Sequence, residues 1–232
     1  MRTRGLTLLL TLVLAGTAAA APRHTQRTLT LADGTRVTYG LSVPEGDPKT
    51  PRPLVIALHP GGSRPYYGDA FLEDIFLPGL AALDPIMAAP DVVGPSWTDP
   101  RSEQAVLALV DALRREFAVD ARRLLLIGFS MGGAGTWFMS ARHPDRFTGA
   151  IVIAGRTDEP PASLGRVPTY VIHSRGDQVV PFAQAEARAV SLEKAGRPVT
   201  FEALSGIGHY EMGGYVDAIA RAGRWIAARW SR

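Results

Sequence analysis

The sequence predicts an α/β protein built on one mostly parallel sheet, with helices packed around it and an antiparallel hairpin at its start. Three observations predict this class: an early pair of alternating segments, a later series of short apolar runs, and helical periods between those runs. With 232 residues, 46% of them hydrophobic and 20% charged, the chain is sized for one globular domain.

The predicted hairpin lies near the N-terminus. Polar and apolar residues alternate through 27–31 and again through 36–43, and Asp33 and Gly34 stand between the two runs. An Asp-Gly pair between alternating segments is a strong signal for a tight turn that joins two antiparallel strands.

The rest of the chain alternates short apolar runs with helical patterns. Continuous apolar runs are expected of strands that are buried on both faces of a parallel sheet. The predicted strands are 54–58, 86–89, 123–127, 150–154, 169–172 and 199–204. The predicted helices are 102–117, 131–141, 182–194 and 215–230. In the first of them Val106, Leu109, Val110, Leu113 and Phe117 recur at spacings of three and four, which defines one helix face.

The first 21 residues have the three parts of a secretory signal peptide. Arg2 and Arg4 form a basic start, residues 6–15 form a short apolar run, and residues 17–21 are small. We expect cleavage between Ala18 and Pro22, a mature domain of residues 22–232, and secretion or residence in the periplasm. The apolar run is about half of the ~20 residues that span a bilayer, so a stable membrane anchor is not expected. The alternative is a helix of the mature domain.

Composition excludes several classes of function. Removing Arg2 and Arg4 from the 25 basic residues leaves 23 against 22 acidic ones, a net charge of +1 that gives no basic surface for nucleic acid. The chain has no cysteine, which excludes disulfides, a cysteine nucleophile, thiolate-bound zinc and a lipid anchor on cysteine. It also lacks a His-Glu-x-x-His run, which argues against a metalloprotease.

The strongest local motif is Gly128-Phe129-Ser130-Met131-Gly132, which follows a predicted strand and opens a predicted helix. This is the context of a nucleophile elbow, a tight turn that lifts the serine hydroxyl clear of the sheet. Small neighbours are needed because the strained turn leaves no room for side chains at the flanking positions. Ser130 is therefore the predicted nucleophile, and the alternative is a glycine-rich turn that only packs closely.

A base and an acid are predicted further along the chain. Of the five histidines, His209 follows the last strand in a glycine-flanked loop, from which its ring can reach the serine. Asp177 follows the preceding strand and a glycine turn, just before a helix that starts at Pro181. The alternative for Asp177 is a turn or cap residue, with Asp158 and Glu159 in reserve. His173 is interpreted as a buried, satisfied histidine.

These motifs resemble the α/β-hydrolase superfamily, whose triad runs in the order Ser, Asp, His. The size, leader and plan resemble small secreted serine esterases of the feruloyl-esterase and polyhydroxybutyrate-depolymerase-like group. The resemblance implies a Ser130–His209–Asp177 triad that cleaves carboxylic esters without a cofactor. It also implies an oxyanion hole from the N–H groups of Met131 and Gly62. Gly62 lies in the loop of residues 59–63, which follows the predicted strand 54–58. Pro60 has no N–H and removes one possible donor from this loop, so the choice between Gly61, Gly62 and Ser63 stays open. His59 is expected to anchor the loop.

The predicted substrate site is open. About a dozen residues separate the strand that ends at residue 154 from the next, which leaves no room for a large lid. Residues 66–83 are a second possible cap, and the alternative for them is the ordinary first helix. An open site suits esters with short acyl chains or the exposed ends of a polymer. Trp97 and Tyr210 are candidate substrate-binding residues, with ordinary packing as an equal alternative. Two other functions are considered: a peptidase of the prolyl-oligopeptidase type, and a secreted binding protein without catalysis.

Overall fold

Eight strands form one continuous sheet in a computed structural model that describes residues 23–62 and 65–231. The strands are β1 (Arg23–Thr30), β2 (Arg36–Val43), β3 (Arg52–Leu58), β4 (Ile86–Pro90), β5 (Val119–Phe129), β6 (Gly149–Ile153), β7 (Thr169–Ser174) and β8 (Val199–Leu204). Their order in the sheet is β1-β2-β4-β3-β5-β6-β7-β8. The predicted leader and Ser63 lie outside the described residues.

The predicted hairpin is confirmed. β1 pairs antiparallel with β2, and β2 pairs antiparallel with β4, while every later pairing in the sheet is parallel. The turn is closed by a hydrogen bond from the N–H of Leu31 to the carbonyl of Thr35 at 2.8 Å. Gly34 has a φ of 85°, a left-handed conformation that glycine adopts without a steric penalty.

Helices cover the sheet at the predicted places. The first helical segment runs through α1 (Tyr67–Phe71), a π-helical turn (Leu72–Phe76), α2 (Leu77–Leu80) and a 3-10 turn (Ala81–Leu83). It is followed by α3 (Pro100–Glu116), α4 (Met131–Arg142), α5 (Phe182–Lys194) and α6 (Val216–Trp230). A 3-10 turn (Met212–Tyr215) precedes α6, so the last α-helix starts one residue later than predicted.

The apolar runs of β3, β4, β6 and β7 are buried on both faces of the sheet, as their composition predicts, whereas the edge strand β8 is only partly buried. Within β3, Val55 packs into the cluster that contains Ile219 of α6, whereas Leu54 and Ile56 pack into the cluster that contains Leu109 of α3. A strand that alternates between two cores has no polar face, which explains the continuous apolar sequence. Within the described ranges, no helix is long and apolar enough to cross a membrane.

Candidate active site

Ser130 occupies a strained turn between β5 and α4. Its φ is 54° and its ψ is −113°, a conformation that costs of order 1–3 kcal/mol for a residue with a side chain. The surrounding backbone holds the turn: the Ser130 N–H donates to Ile153 at 2.9 Å, and the Ser130 carbonyl accepts from Ala134 at 3.0 Å. The strain lifts the hydroxyl out of the sheet, at the positive end of α4.

The glycines that flank Ser130 are required by close backbone contacts. A Cβ on Gly128 would lie 2.2 Å from the carbonyl oxygen of Gly132. A Cβ on Gly132 would lie 2.0 Å from the carbonyl oxygen of Leu58, the last residue of β3. Both distances are far shorter than van der Waals contact, so these glycines let the end of β3 approach the start of α4.

The structure brings Ser130, His209 and Asp177 together in one hydrogen-bonded line. His209 Nε2 lies 2.9 Å from Ser130 Oγ, and His209 Nδ1 lies 2.8 Å from Asp177 Oδ2. The His209 side chain is 4% exposed and the Asp177 side chain is 0% exposed. Because a carboxylate only accepts hydrogen bonds, Nδ1 carries the ring proton and Nε2 is left to accept from the serine hydroxyl.

Asp177 is held in its charged form. Burial alone would raise the pKa of Asp177, but hydrogen bonds from His209 and from the N–H groups of Val180 and Val179 outweigh burial and lower the pKa below its usual 3.8. Both backbone bonds end on Oδ1, at 2.8 Å each, which leaves Oδ2 for the histidine. The carboxylate therefore stays ionised at neutral pH and can stabilise a positive imidazole.

The loop that carries His209 spans a large part of the sheet. It leaves β8, while Ser130 follows β5, and these strands are separated by β6 and β7, a distance of roughly 14 Å across the strand direction. Two bonds tie the loop to the turn after β7: Ser174 Oγ donates to Ile207 at 2.5 Å, and the His209 N–H donates to Gln178 Oε1 at 3.3 Å. These bonds hold the imidazole over the serine.

Two aromatic rings pack beneath the His209 imidazole. The Phe129 ring lies 5.2 Å from the His209 ring, and the buried Tyr215 ring meets Phe129 edge-on at 5.2 Å. Sequence reasoning missed both residues. Phe129 is the variable residue of the elbow motif, and nothing in its position along the chain separates it from an ordinary core residue.

The loop after β3 is anchored by His59, as predicted. His59 is 1% exposed; its Nδ1–H donates to Pro60 at 2.6 Å, and its Nε2 accepts from the Val92 N–H at 3.2 Å. Burial lowers the pKa of His59 below its usual 6.5, so the ring stays neutral with both nitrogens bonded.

Gly62 lies at the end of the described part of this loop, where a Cβ would meet Tyr67 Cε1 at 2.1 Å. Met131 is the first residue of α4, so its N–H belongs to the free donors at the helix start. The roles of Met131 and Gly62 as oxyanion donors stay predictions.

A cavity of about 560 Å³ opens beside Ser130. Its lining includes Trp97, Met131, Phe138, Asp158 and Val179. Trp97 combines the two roles considered for it: it lines the cavity, yet it is 1% exposed and donates its indole N–H to His59 at 2.9 Å.

Tyr210 lies outside the lining of this cavity. Its side chain is 70% exposed, and its ring stands edge-on to His209 with the centroids 5.4 Å apart. A contact between Tyr210 and substrate stays a prediction.

The other candidate groups make no hydrogen bond to Ser130 or His209 among those of the described residues. Asp158 and Glu159, the reserve acids, line the cavity beside Ser130, whereas Asp177 contacts the imidazole. His143 bonds Glu103 at 2.7 Å, and His24 lies between Asp69 and Glu73. In the part of the chain that the structure describes, no cluster of three metal-ligating side chains occurs.

Comparison with known proteins gives relatives that are named as esterases. Residues 99–222 match the family model described as Phospholipase/Carboxylesterase, a range that contains Ser130, Asp177 and His209. The chain is 32% identical over 189 residues to NocK of Nocardia uniformis subsp. tsuyamanensis, whose assigned name proposes an esterase. That alignment covers 73% of this chain and 54% of NocK, so the chain spans about half the length of this relative.

Two solved structures show the same architecture. A thermostable esterase superposes with a TM-score of 0.68 at 25% identity, over 90% of this chain and 60% of its own. A ferulic acid esterase superposes with a TM-score of 0.72 at 14% identity, over 90% of this chain and 99% of its own. Since the family model matches more than half of the sequence, the chain belongs to the phospholipase/carboxylesterase family of α/β-hydrolases.

Proposed function

We propose that this protein hydrolyses carboxylic esters through an acyl-enzyme intermediate on Ser130. The observation that carries the proposal is the 2.9 Å contact between His209 Nε2 and Ser130 Oγ, with the ring fixed by the buried Asp177 carboxylate. A serine hydroxyl is a weak nucleophile at neutral pH and needs an adjacent base to accept its proton as it attacks.

In the first half of the reaction, Ser130 Oγ attacks the ester carbonyl while His209 takes the hydroxyl proton. Asp177 stabilises the imidazolium that forms. The N–H groups of Met131 and Gly62 would receive the oxyanion, and each such donor lowers the barrier by about 3 kcal/mol. Collapse of the tetrahedral intermediate releases the alcohol, which takes the proton from His209.

In the second half, water replaces the alcohol. His209 takes a proton from the water as its oxygen attacks the acyl carbonyl, and Ser130 leaves with that proton as the carboxylic acid is released. The cycle balances protons among Ser130, His209, water and the two products, and it requires no cofactor.

The proposed substrates are esters with short acyl chains or the ester ends of a polymer. Residues 154–168, which connect β6 to β7, contain neither helix nor strand that would cover the cavity beside Ser130. The esterase names among the relatives support the same chemistry. The leader predicted from the sequence adds the proposal that hydrolysis takes place in the periplasm or outside the cell.

The direct test is hydrolysis of p-nitrophenyl acyl esters of increasing chain length by wild type and Ser130→Ala. We expect turnover that is highest for short chains and a loss of roughly a thousandfold or more in the variant, because the nucleophile is gone. Ser231→Ala is the matched control, since its hydroxyl is exposed and bonds only Ala227 at the C-terminal end.

The same assay separates the alternatives. Faster cleavage of a proline-linked p-nitroanilide than of any ester would favour the peptidase of the prolyl-oligopeptidase type. Equal turnover by wild type and Ser130→Ala would contradict the proposal, because the reaction would not use Ser130. No turnover above background by wild type on any ester would contradict it as well and would favour a binding protein.

A further inference from the structure

His173 is a buried titratable residue that the proposed reaction does not use. It lies in β7, four residues before Asp177, and its side chain is 0% exposed. Its Nε2 lies 2.9 Å from the carbonyl oxygen of Val180 and 3.3 Å from Asp177 Oδ2. The imidazole therefore contacts both ends of the segment that carries the proposed triad acid.

The contacts of His173 define its tautomer. A carbonyl oxygen only accepts hydrogen bonds, so Nε2 carries the proton and donates it to Val180. Nδ1 is then unprotonated, and it has no hydrogen-bond partner among the described residues. A second proton at Nδ1 would be buried without an acceptor, and burial lowers the pKa of His173 below its usual 6.5. The ring is a neutral donor that is buried, as the sequence predicts, and is satisfied at Nε2 but not at Nδ1.

The Nε2–H that His173 donates to Val180 also lies close to the Asp177 carboxylate. Asp177 Oδ1 is saturated by the N–H groups of Val179 and Val180, whereas Oδ2 faces His209 at 2.8 Å and His173 at 3.3 Å. His173 donates to the Val180 carbonyl at 2.9 Å, and the same edge of its ring faces the Asp177 oxygen that accepts from His209. Two histidines thus contact one carboxylate oxygen from different sides.

We propose that His173 is a positioning residue for ester hydrolysis, which holds Asp177 in place through Nε2–H and draws negative charge away from Oδ2. This inference rests on the proposed function. Loss of the donor has two expected effects. Asp177 and Val180 lose their fixed geometry, and Asp177 Oδ2 binds the His209 imidazolium more strongly. The first lowers kcat, and the second moves the acid limb of the pH–rate profile to higher pH.

The effect on pH dependence must be separated from other groups near the site. Ser130 and Asp177 contact His209 directly, and the ring of Tyr210 lies edge-on to it. Other titratable or charged groups near the site are Tyr215 beneath Phe129, Glu211 on the Gly208 N–H, and Arg175 paired with Glu186 of α5. Arg156, Asp158 and Glu159 line the cavity beside Ser130. None of these is altered by a substitution at His173.

The test compares His173→Gln with His173→Leu. The glutamine amide can place an N–H donor near the position of Nε2, whereas leucine fills the volume without a donor. For His173→Leu we expect kcat to fall about tenfold with KM changed by less than about twofold, and the acid limb to move to higher pH. For His173→Gln we expect both properties near wild type. His143→Gln, on the distant Glu103 contact, is the histidine control.

A second readout does not depend on turnover. The downfield proton resonance of the His209–Asp177 hydrogen bond should shift in His173→Leu and stay in place in His173→Gln. If wild type cleaves no ester, the proposed function fails, but this resonance still reports whether His173 affects the hydrogen bond between His209 and Asp177.

Should His173→Leu not fold, His173→Asn replaces it, because the shorter amide reaches the position of Nδ1 instead of Nε2. Wild-type kcat, acid limb and resonance in the leucine variant would overturn the proposal. An equal loss of kcat in His173→Gln and His173→Leu would overturn it as well, because only the glutamine retains a donor.

Discussion

At the scale of single residues, two buried histidines link stability to pH. His59 and His173 are at most 1% exposed, and burial lowers the pKa of each below the usual 6.5. The unfolded chain therefore binds more protons than the native chain in the range just below 6.5. The stability that these rings contribute is complete above that pH and is lost as the pH falls toward the folded-state pKa values.

We therefore expect the free energy of unfolding, measured by urea denaturation, to be lower at about pH 5 than at about pH 8. His173→Gln removes one of the two titrating rings, so the difference between the two pH values should shrink in this variant. An unchanged or larger difference in His173→Gln would show that His173 does not contribute to the pH dependence.

The residues that carry the proposed chemistry were accessible from the sequence, and those that support them were not. Ser130, Asp177 and His209 each follow a strand, and parallel strands place their carboxyl ends at one edge of the sheet. His173 and Phe129 lie within strands, at positions that cannot be told from ordinary core positions in the sequence. Their contacts with Asp177 and His209 depend on side-chain direction in three dimensions, which no periodicity encodes.

At the scale of elements, the contact between β3 and α4 requires a residue without a side chain at position 132. A Cβ on Gly132 would meet the carbonyl of Leu58 at 2.0 Å, so Gly132→Ala must displace the helix or the strand end. We expect a loss of about 1–3 kcal/mol in stability. We also expect a loss of roughly a hundredfold in kcat/KM, because a displacement of about 1 Å misplaces the serine and the oxyanion donors.

Thermal unfolding and ester hydrolysis measure both effects. Gly213→Ala is the matched control, since a Cβ at that position would have no atom within 4 Å. If Gly132→Ala behaved like Gly213→Ala in both assays, the close approach of β3 and α4 would not be needed for the site.

Element boundaries were less predictable than element types. β5 extends from residue 119 instead of 123, because its polar start pairs with Arg52 of β3 although it lacks an apolar run. The first helical segment contains a π-helical turn, where the sequence predicted either a cap or an ordinary first helix. Both features depend on pairing and packing with distant residues.

At the scale of the whole molecule, the central claim is that loops following β5, β7 and β8 meet above one serine and make it reactive. The sheet order predicts which edge they share, but the distance from β8 back to β5 has to be closed by the loop before α6. Two hydrogen bonds hold this loop against the end of β7 and the loop that follows it: Ser174 Oγ donates to the Ile207 carbonyl, and the His209 N–H donates to Gln178 Oε1.

Covalent labelling with a fluorophosphonate probe, followed by peptide mass spectrometry, tests this claim most directly. The probe modifies a serine only when an adjacent base activates it. We expect one label per chain on the peptide that contains Ser130, no label in Ser130→Ala, and slow labelling in His209→Gln, all with the native fold retained. Absence of labelling in folded wild type, or wild-type labelling in His209→Gln, would contradict it.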